Sequence, residues 1–361
     1  FYPCSVLGII TDLDKAIQND DLLLIKKLLA QLGKTPFYKK AKPTPYDEAI
    51  SLIWYLENVF YHSISKIYNY VQQHIYDGEP LENEIIDLGF WPGGDRDGNP
   101  FVTTKITLDV AERLRQSILR SYYGDVKRLK RRFTFDGVQE ILAKVEKRLY
   151  KHVVRSYKKV NFSQKILLSE LEAAREIVKT KHNSLFIEEL NDFINKVRIF
   201  GFHFATLDIR QDSRVHHKAF TQIVDDLAAD GDTTFPKNYH HLSEDEQILI
   251  LSLVKGNIDP KILSDEMSVK TIESIYALKT IQARNGERGA NRYIISNNQS
   301  ALNVMQTFAM LNLCGFENEL PVDVIPLFET VDDLENPSDV MRTLYSNQAY
   351  RYHLTKRKNK K

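Results

Sequence analysis

A loop between residues 90 and 100 concentrates groups that could bind a charged ligand. It reads Phe-Trp-Pro-Gly-Gly-Asp-Arg-Asp-Gly-Asn-Pro, and Gly89, Gly93, Gly94 and Gly98 are four of the 15 glycines in the chain. Glycines permit positive φ and a close approach of the backbone to a ligand, and an Asp-Arg-Asp run can hold a guanidinium group in a fixed orientation. We therefore predict a binding loop, with a surface turn closed by a local ion pair as the alternative. Its candidate residues are Trp91, Gly93, Gly94, Asp95, Arg96, Asp97 and Asn99.

A second segment, residues 201–213, places an arginine just after an apolar run. The sequence Phe-His-Phe-Ala-Thr-Leu-Asp-Ile predicts a strand that ends next to Arg210. The planar guanidinium group suits phosphate or carboxylate ligands, although an ion pair of Arg210 with Asp208 or Asp212 is the alternative. His203 alternates with phenylalanines, so we expect a hydrogen-bonded histidine of the core.

A third segment, residues 326–334, places a carboxylate directly after a predicted strand. A carboxylate in that position is costly unless it is paired or bound to a metal. Glu329 is therefore a candidate ligand for a hard cation such as Mg²⁺. In the alternative interpretation, Asp332 or Asp333 caps the next helix and Glu329 pairs with a nearby arginine.

These polar segments follow predicted strands that long helices separate. The strands are predicted at residues 84–90, 202–209, 292–296 and 322–328. Because the connections are long and helical, we expect a parallel sheet with helical crossovers. The expected fold class is mainly α-helical with a few short parallel strands. In a β/α barrel the active site lies at the C-terminal ends of the strands, and four strands would form half of such a barrel.

The remainder of the sequence predicts helices, and the clearest pattern covers residues 45–76. Its apolar side chains recur at steps of three and four and should share one buried stripe, which consists of Ile53, Leu56, Phe60, Ile64, Ile67, Val71 and Ile75. Further helices are predicted at residues 9–31, 106–132, 135–159, 164–181, 185–198, 212–229, 244–254, 268–283, 300–313 and 336–353.

Composition excludes several classes of protein. The 361 residues include 49 Lys and Arg against 48 Asp and Glu, so the balanced charge gives no reason to expect a nucleic-acid partner. The longest apolar run, residues 248–254, is far shorter than the about 20 residues of a membrane span. Two cysteines are too few for a disulfide framework or a thiolate metal site. We expect a cytoplasmic protein with no membrane association and, over residues 1–361, no internal domain boundary.

Taken together and in this order, the three segments resemble the phosphoenolpyruvate carboxylase family. The family pattern is Trp-x-Gly-Gly-Asp-Arg-Asp-Gly-Asn-Pro, then Leu-Asp-Ile-Arg-Gln, then Phe-Glu-Thr-x-x-Asp-Leu. These patterns stand here at residues 91–100, 207–211 and 328–334. The family's catalytic histidine motif and its Gly-Tyr-Ser-Asp-Ser motif would lie before residue 1 and after residue 361. The resemblance therefore implies a central segment of a longer enzyme.

The resemblance implies a function for each candidate residue. The family converts phosphoenolpyruvate and bicarbonate to oxaloacetate and phosphate with Mg²⁺ or Mn²⁺. Arg210 matches its phosphate-binding arginine, Glu329 matches a metal ligand, and the loop of Trp91 shapes the active-site pocket. The implied fold is a TIM-type β/α barrel embedded in many helices, about half of whose strands lie in this chain. The implied full-length assembly is a cytoplasmic homotetramer, and the segment alone should be inactive.

Two other functions remain open at this point. The chain could be a truncated relative that serves as a non-enzymatic helical scaffold or assembly module. It could also belong to a different enzyme of metal-assisted phosphoryl chemistry that uses the same polar strand ends. A scaffold would have no need for Arg210, Glu329 or the acidic loop, which favours the enzymatic interpretation.

Overall fold

The fold consists mainly of helices, most of which pack around two small parallel sheets. The structure is a computed structural model, and it describes residues 4–35, 43–78, 86–155, 162–316, 320–331 and 333–357. The helices are α1 (Cys4–Gln18), α2 (Leu22–Lys34), α3 (Pro45–Tyr55), α4 (Tyr61–Ile75), α5 (Thr104–Arg132), α6 (Val138–Arg155), α7 (Gln164–Lys181), α8 (Ile187–Phe200), α9 (Ser213–Ala229), α10 (Glu244–Leu251), α11 (Glu266–Asn285), α12 (Ala301–Leu313), α13 (Pro337–Ser346) and α14 (Gln348–Lys356). Short 3₁₀ turns lie at Tyr239–His241, Pro260–Ile262 and Glu287–Gly289.

Two of the predicted helices are each divided in two by a polar capping residue. Residues 9–31 contain the end of α1 and the start of α2, because Asp21 accepts a hydrogen bond from the Leu24 N–H (3.0 Å). Residues 336–353 are divided at Asn347, which caps α14 through the Tyr350 N–H (3.0 Å). Asp and Asn side chains compete with the helix for backbone donors, so they begin new helices rather than continue old ones.

A π-helical turn at Leu56–Phe60 joins α3 to α4 and changes which residues are buried. The turn adds one residue, which rotates the downstream helix by about 100°. The predicted stripe is confirmed at Ile53, Leu56 and Ile64, and Val71 packs partly buried against the core. It is wrong at Phe60, Ile67 and Ile75, which are 42%, 54% and 65% exposed, and Tyr61 and Tyr68 are buried in addition.

The strands form a parallel array in the order in which they occur along the chain. They are β1 (Gly89–Phe90), β2 (Thr206–Leu207), β3 (Ile209–Asp212), β4 (Arg292–Ser296) and β5 (Asp323–Pro326). β1 pairs with β2, β3 with β4 and β4 with β5, and each pair is parallel. The parallel arrangement with helical crossovers is thus confirmed, and the described strands do not close into a barrel.

Two of the predicted strands are shorter in the structure, a third is displaced along the chain, and β4 coincides with its prediction. The strand predicted at 202–209 begins only at Thr206, after the turns that follow α8, and continues as β2 and β3 to Asp212. Arg210 therefore lies within a strand, and the prediction that it directly follows one is wrong. The prediction at 322–328 narrows to β5. The prediction at 84–90 narrows to β1, and residues 84 and 85 lie outside the described part of the chain.

The two faces of the sheet have different surroundings. Ile209, Tyr293, Ile295 and Val324 are buried and belong to the hydrophobic core that the surrounding helices share. On the opposite face, Arg292 and Ile294 of β4 are only half-buried and Ser296 is fully buried, so that face is the more open one at the beginning of the strand. In the described part of the chain, no helix combines the length and apolar composition that a bilayer crossing requires.

The π turn predicts opposite outcomes for two isoleucines of α4. Ile64 is 6% exposed and Ile67 is 54% exposed. We expect Ile64→Ala to lower the free energy of unfolding by about 2–5 kcal/mol, because it leaves a cavity in the core. Ile67→Ala should change it by less than about 0.5 kcal/mol. Urea unfolding of both variants measures the difference, and equal losses would show that the uninterrupted stripe is correct.

Candidate functional site

The guanidinium group of Arg210 lies where the three polar segments meet. Its Nη2 donates to Asp97 Oδ2 at 2.9 Å and to Glu329 Oε1 at 2.6 Å. Its Nε lies 3.8 Å from Asp95 Oδ1, and the Arg210 side chain is only 13% exposed. One side chain of β3 is therefore held by carboxylates from the loop after β1 and from the segment after β5. We call Arg210, Asp95, Asp97 and Glu329 the carboxylate cage.

Backbone hydrogen bonds fix the loop against β3. The Arg210 N–H donates to Gly94 O (3.1 Å), and the Arg96 N–H donates to Arg210 O (3.0 Å). Gly94 has to lack a side chain, because a Cβ atom would lie 2.1 Å from Asp208 O. Gly93 has φ +85°, and a Cβ there would lie 2.6 Å from Val110 Cγ2. These two glycines thus serve contacts of the loop with β3 and α5, whereas the sequence suggested an approach to a ligand.

The Asp-Arg-Asp run does not form the local ion pair that was the alternative for this loop. The Arg96 Nη2 lies 3.4 Å from Oγ1 of both Thr104 and Thr107, and burial lowers the pKa of Arg96. Among the described residues, no ion pair joins Arg96 to Asp95 or Asp97. Their carboxylates face Arg210 of another strand instead, so the loop holds a guanidinium group that is distant in sequence.

The remaining loop candidates have local roles in the structure. Asn99 Oδ1 accepts a hydrogen bond from the Phe101 N–H (3.1 Å), which closes the turn before α5. Gly98 has φ +64° and open space where a Cβ would lie. Trp91 is 50% exposed, and its ring centroid lies 5.5 Å from Arg210 Cζ. Trp91 therefore forms one wall of the space beside the carboxylate cage.

The two aspartates that flank Arg210 in sequence pair with other groups. Asp208 Oδ1 accepts from Arg292 Nε at 2.6 Å, and Oδ2 accepts from Trp91 Nε1 at 3.1 Å. Asp212 caps α9 through the Arg214 N–H (2.7 Å) and also binds the guanidinium group of that residue. The alternative that either aspartate neutralises Arg210 is therefore wrong.

Glu329 is positioned by a hydrogen-bonded turn. Asp333 Oδ2 accepts from the N–H groups of Glu329 (3.3 Å) and Thr330 (3.1 Å). The second oxygen of Glu329 accepts from the Asn297 N–H at 3.4 Å, and its side chain is 35% exposed. The pairing of Glu329 with an arginine is thus correct. Asp333 closes this turn rather than capping α13, and Asp332 lies outside the described residues.

The surroundings of Glu329 fit one ligand of a divalent cation and no more. A carboxylate at a partly open strand end is a ligand that Mg²⁺ or Mn²⁺ accepts. The described part of the chain contains no group of three or more His, Cys, Asp or Glu residues arranged to hold a metal. Further ligands would have to be substrate oxygens, water or residues elsewhere in the protein.

The carboxylate cage contains more negative than positive charge. Three carboxylates surround one guanidinium group, and its own burial lowers the pKa of Arg210 while Asp95, Asp97 and Glu329 raise it, with a net increase. Burial raises the pKa of Asp95, and the Arg210 charge offsets part of that increase. An anionic ligand would therefore need additional cations to bind beside Arg210.

The two histidines near β2 and β3 belong to the core. Burial lowers the pKa of His203 to about 3. His216 lies between the Tyr293 hydroxyl (3.0 Å) and Thr307 Oγ1 (2.9 Å), and burial lowers its pKa to about 3 as well. Both residues are therefore neutral at physiological pH.

Sequence reasoning missed the contacts of Asp208, Arg292 and Asn297. Asp208 belongs to the Leu-Asp-Ile-Arg run, but the sequence suggested only Arg210 as its partner. Arg292 begins a predicted strand, and the half-apolar strand that follows gave no reason to assign it a role. The Asn297 contact comes from its backbone N–H, which has no sequence signal at all.

Comparison with known proteins gives a consistent family assignment. The family model of phosphoenolpyruvate carboxylase matches residues 11–165 and 140–361. The phosphoenolpyruvate carboxylase of Nitrosomonas eutropha is 26% identical over 93% of this chain and 41% of its own length. Those of Vibrio vulnificus and Aeromonas hydrophila are 26% and 29% identical, each over 91% of this chain and 40% of their own length.

The chain thus spans about two fifths of the length of these curated relatives. The family match covers nearly all of the chain and includes the three segments that meet at Arg210. This chain belongs to the phosphoenolpyruvate carboxylase family.

Proposed function

We propose that the carboxylate cage is part of an active site that converts phosphoenolpyruvate and bicarbonate to oxaloacetate and phosphate. The observation that carries this proposal is the contact of Arg210 with both Asp97 and Glu329, which are 113 and 119 residues away. The contact brings the family's three motif segments together at one point. Removing four charged groups partly from water costs stability, and a binding site would account for keeping them together.

In this proposal, Arg210 binds the phosphate group of phosphoenolpyruvate. Its planar guanidinium group can form two parallel hydrogen bonds to a phosphate. In the structure, Nη2 of this group donates to the carboxylates of Asp97 and Glu329. A bound phosphate would therefore replace carboxylate partners at that nitrogen. Trp91 and the loop from Gly93 to Asn99 would shape the pocket and hold the acidic side chains in place.

Glu329 would provide one ligand of a bound Mg²⁺ or Mn²⁺. Such a cation supplies positive charge that stabilises an enolate oxygen as negative charge develops on it. The contribution of this chain is to present the Glu329 carboxylate at a fixed distance from Arg210. The Asp333 turn and the Asn297 N–H keep that carboxylate in its orientation.

The four parallel segments would form about half of a TIM-type barrel. Within each of the two sheets, β1–β2 and β3–β4–β5, the order of the strands equals their order along the chain, as in a β/α barrel. Arg210 lies within β3, two residues before the strand ends at Asp212, and Glu329 lies three residues after the end of β5. The active sites of β/α barrels are found at the C-terminal ends of the strands. The remaining strands would come from other parts of the protein, which we propose to be a cytoplasmic homotetramer.

Replacement of Arg210 tests its role in phosphate binding. In the full-length enzyme that contains this segment, we expect Arg210→Gln to lower kcat/KM for phosphoenolpyruvate by about 100-fold or more. Arg210→Lys should also be impaired, because lysine keeps the charge and loses the bidentate geometry. Steady-state kinetics measures both effects.

Arg214→Gln is the matched control for Arg210. Its guanidinium group lies four residues further along the chain, is 74% exposed and pairs with Asp212. We expect near-normal kinetics for this variant. Unchanged kcat/KM in Arg210→Gln would remove Arg210 from the site.

Replacement of Glu329 tests its role as a metal ligand. In the full-length enzyme, Glu329→Gln should raise the dissociation constant for Mn²⁺, because a neutral amide is a poorer ligand than a carboxylate. Titration calorimetry reads the binding directly and does not depend on turnover. Exposed Glu335 gives the control variant Glu335→Gln, and equal Mn²⁺ affinity in the two variants would contradict the assignment.

The isolated 361-residue chain should have no carboxylase turnover. Its described residues supply one cation at the cage and one candidate metal ligand, which is too little to bind a phosphate and a metal together. Bicarbonate-dependent release of phosphate from phosphoenolpyruvate is the appropriate assay. Turnover above the rate of the Arg210→Gln chain would show that the segment is sufficient by itself.

A further inference from the structure

Asp208 binds Trp91 through one carboxylate oxygen and Arg292 through the other. Oδ2 accepts the indole N–H of Trp91 at 3.1 Å, and Oδ1 accepts from Arg292 Nε at 2.6 Å. The carboxylate is almost fully buried although Trp91 itself is 50% exposed. The only polar atom of a half-exposed tryptophan is thus anchored beneath the surface.

Arg292 in turn is fixed by a second carboxylate. Its Nη1 lies 3.3 Å from Asp87 Oδ2, and Asp87 Oδ1 accepts from Arg288 Nη2 at 2.7 Å. Burial raises the pKa of Asp208, and the charge and hydrogen bond of Arg292 offset part of that increase. A chain of ion pairs therefore begins at the half-exposed Asp87 and ends at the Trp91 indole.

The orientation of Trp91 matters because the indole ring lies next to Arg210. With the ring centroid 5.5 Å from Arg210 Cζ, the ring and the guanidinium group are within range of a cation–π interaction. An indole has a single N–H donor, so a bond at that atom restricts rotation of the whole ring. Without the bond, the exposed half of the side chain would have little to hold it beside Arg210.

We propose that Asp208, held by Arg292, is a positioning residue that acts through Trp91 on the Arg210 guanidinium group. The positioning of Trp91 by Asp208 concerns contacts within this chain. The effect of that positioning on catalysis rests on the proposed function of Arg210. Asp208 itself touches neither Arg210 nor, in this proposal, the substrate.

The Asp208→Asn substitution tests the hydrogen bond to Trp91 apart from the one to Arg292. An amide has one acceptor oxygen, whereas Asp208 uses two, so Asp208→Asn can satisfy Arg292 or Trp91 but not both. The cationic partner retains the oxygen, and the amide nitrogen then faces the indole N–H. We expect at least about tenfold faster exchange of the indole proton, as loss of a charge-assisted hydrogen bond implies.

Indole N–H resonances of the ¹⁵N-labelled chain measure this effect. Trp54 and Trp91 are the two tryptophans of the sequence, so Trp54→Phe leaves one indole signal. Asp226→Asn is the matched control, since Asp226 is also a buried aspartate but is bonded to Ser264 and Gln222. Faster exchange in Asp208→Asn and not in Asp226→Asn supports the proposal. An unchanged Trp91 indole signal would overturn it.

Trp91→Phe keeps the test valid if Asp208→Asn does not fold. This variant removes the indole donor and leaves the Asp208–Arg292 pair intact. The Arg210 Nε–H resonance, assigned with Arg210→Lys, should move in Trp91→Phe and in folded Asp208→Asn. An Arg210 resonance that stays in place in Trp91→Phe would contradict the link between Trp91 and Arg210.

A double-mutant cycle in the full-length enzyme separates positioning from general damage. If Asp208 acts through Trp91, the Asp208→Asn/Trp91→Phe double variant should be no slower in kcat/KM than the slower single variant. Additive losses would overturn the proposal. Normal activity of Arg210→Gln would instead refute the proposed function, and the indole and Arg210 resonances would still decide the structural claim.

Discussion

The ion pairs of the largely buried Arg210 guanidinium group depend on how the loop after β1, strand β3 and the segment after β5 are placed against one another. Arg210 reaches Asp97 only because the loop after β1 runs along β3, and it reaches Glu329 only because β4 separates β3 from β5 at a fixed spacing. A slip of one residue in the β3–β4 pairing would turn the Arg210 side chain to the opposite face. The register of the sheet and the geometry of the cage are thus the same constraint.

The balance of charge at the carboxylate cage explains why an anionic ligand would need positive groups that the described residues do not supply there. Three carboxylates next to one guanidinium group repel any further anion, so the described residues alone form a site that is better suited to cations. A phosphate can enter only where other positive groups accompany it. Membership of a family whose members are more than twice as long agrees with this need.

The sequence predicted well those features that depend on local pattern. β4 and α7 coincide with their predicted ranges, because alternation and helical periodicity are properties of neighbouring residues. The π turn was not predictable, since the apolar residues offer an unbroken run of three- and four-residue steps through Phe60, whereas burial passes from Leu56 to Tyr61 in a step of five. The ion-pair partner of Asp97 was likewise not predictable from the sequence. Sequence proximity favoured Arg96, and only the sheet brings Arg210 closer.

The pairing of Trp91 with Asp208 illustrates a third limit. Both residues stood in recognised segments, but a hydrogen bond between side chains 117 residues apart has no periodic signature. The sequence indicates only an aspartate at the end of an apolar run, for which an ion pair with Arg210 was the available interpretation. In the structure, the arginine that pairs with Asp208 is Arg292 of β4.

The long separation between Arg210 and its partners also bears on the order in which the chain folds. Helix pairs such as α1 with α2 and α5 with α6 join neighbouring stretches of chain and can form early. The Arg210 contacts close loops of 113 and 119 residues, and loop closure over such lengths is entropically unfavourable until the intervening helices have packed. We therefore expect the ion pairs at the centre of the site to be among the last contacts to form. A chain that has formed all of its helices would then still lack the carboxylate cage around Arg210.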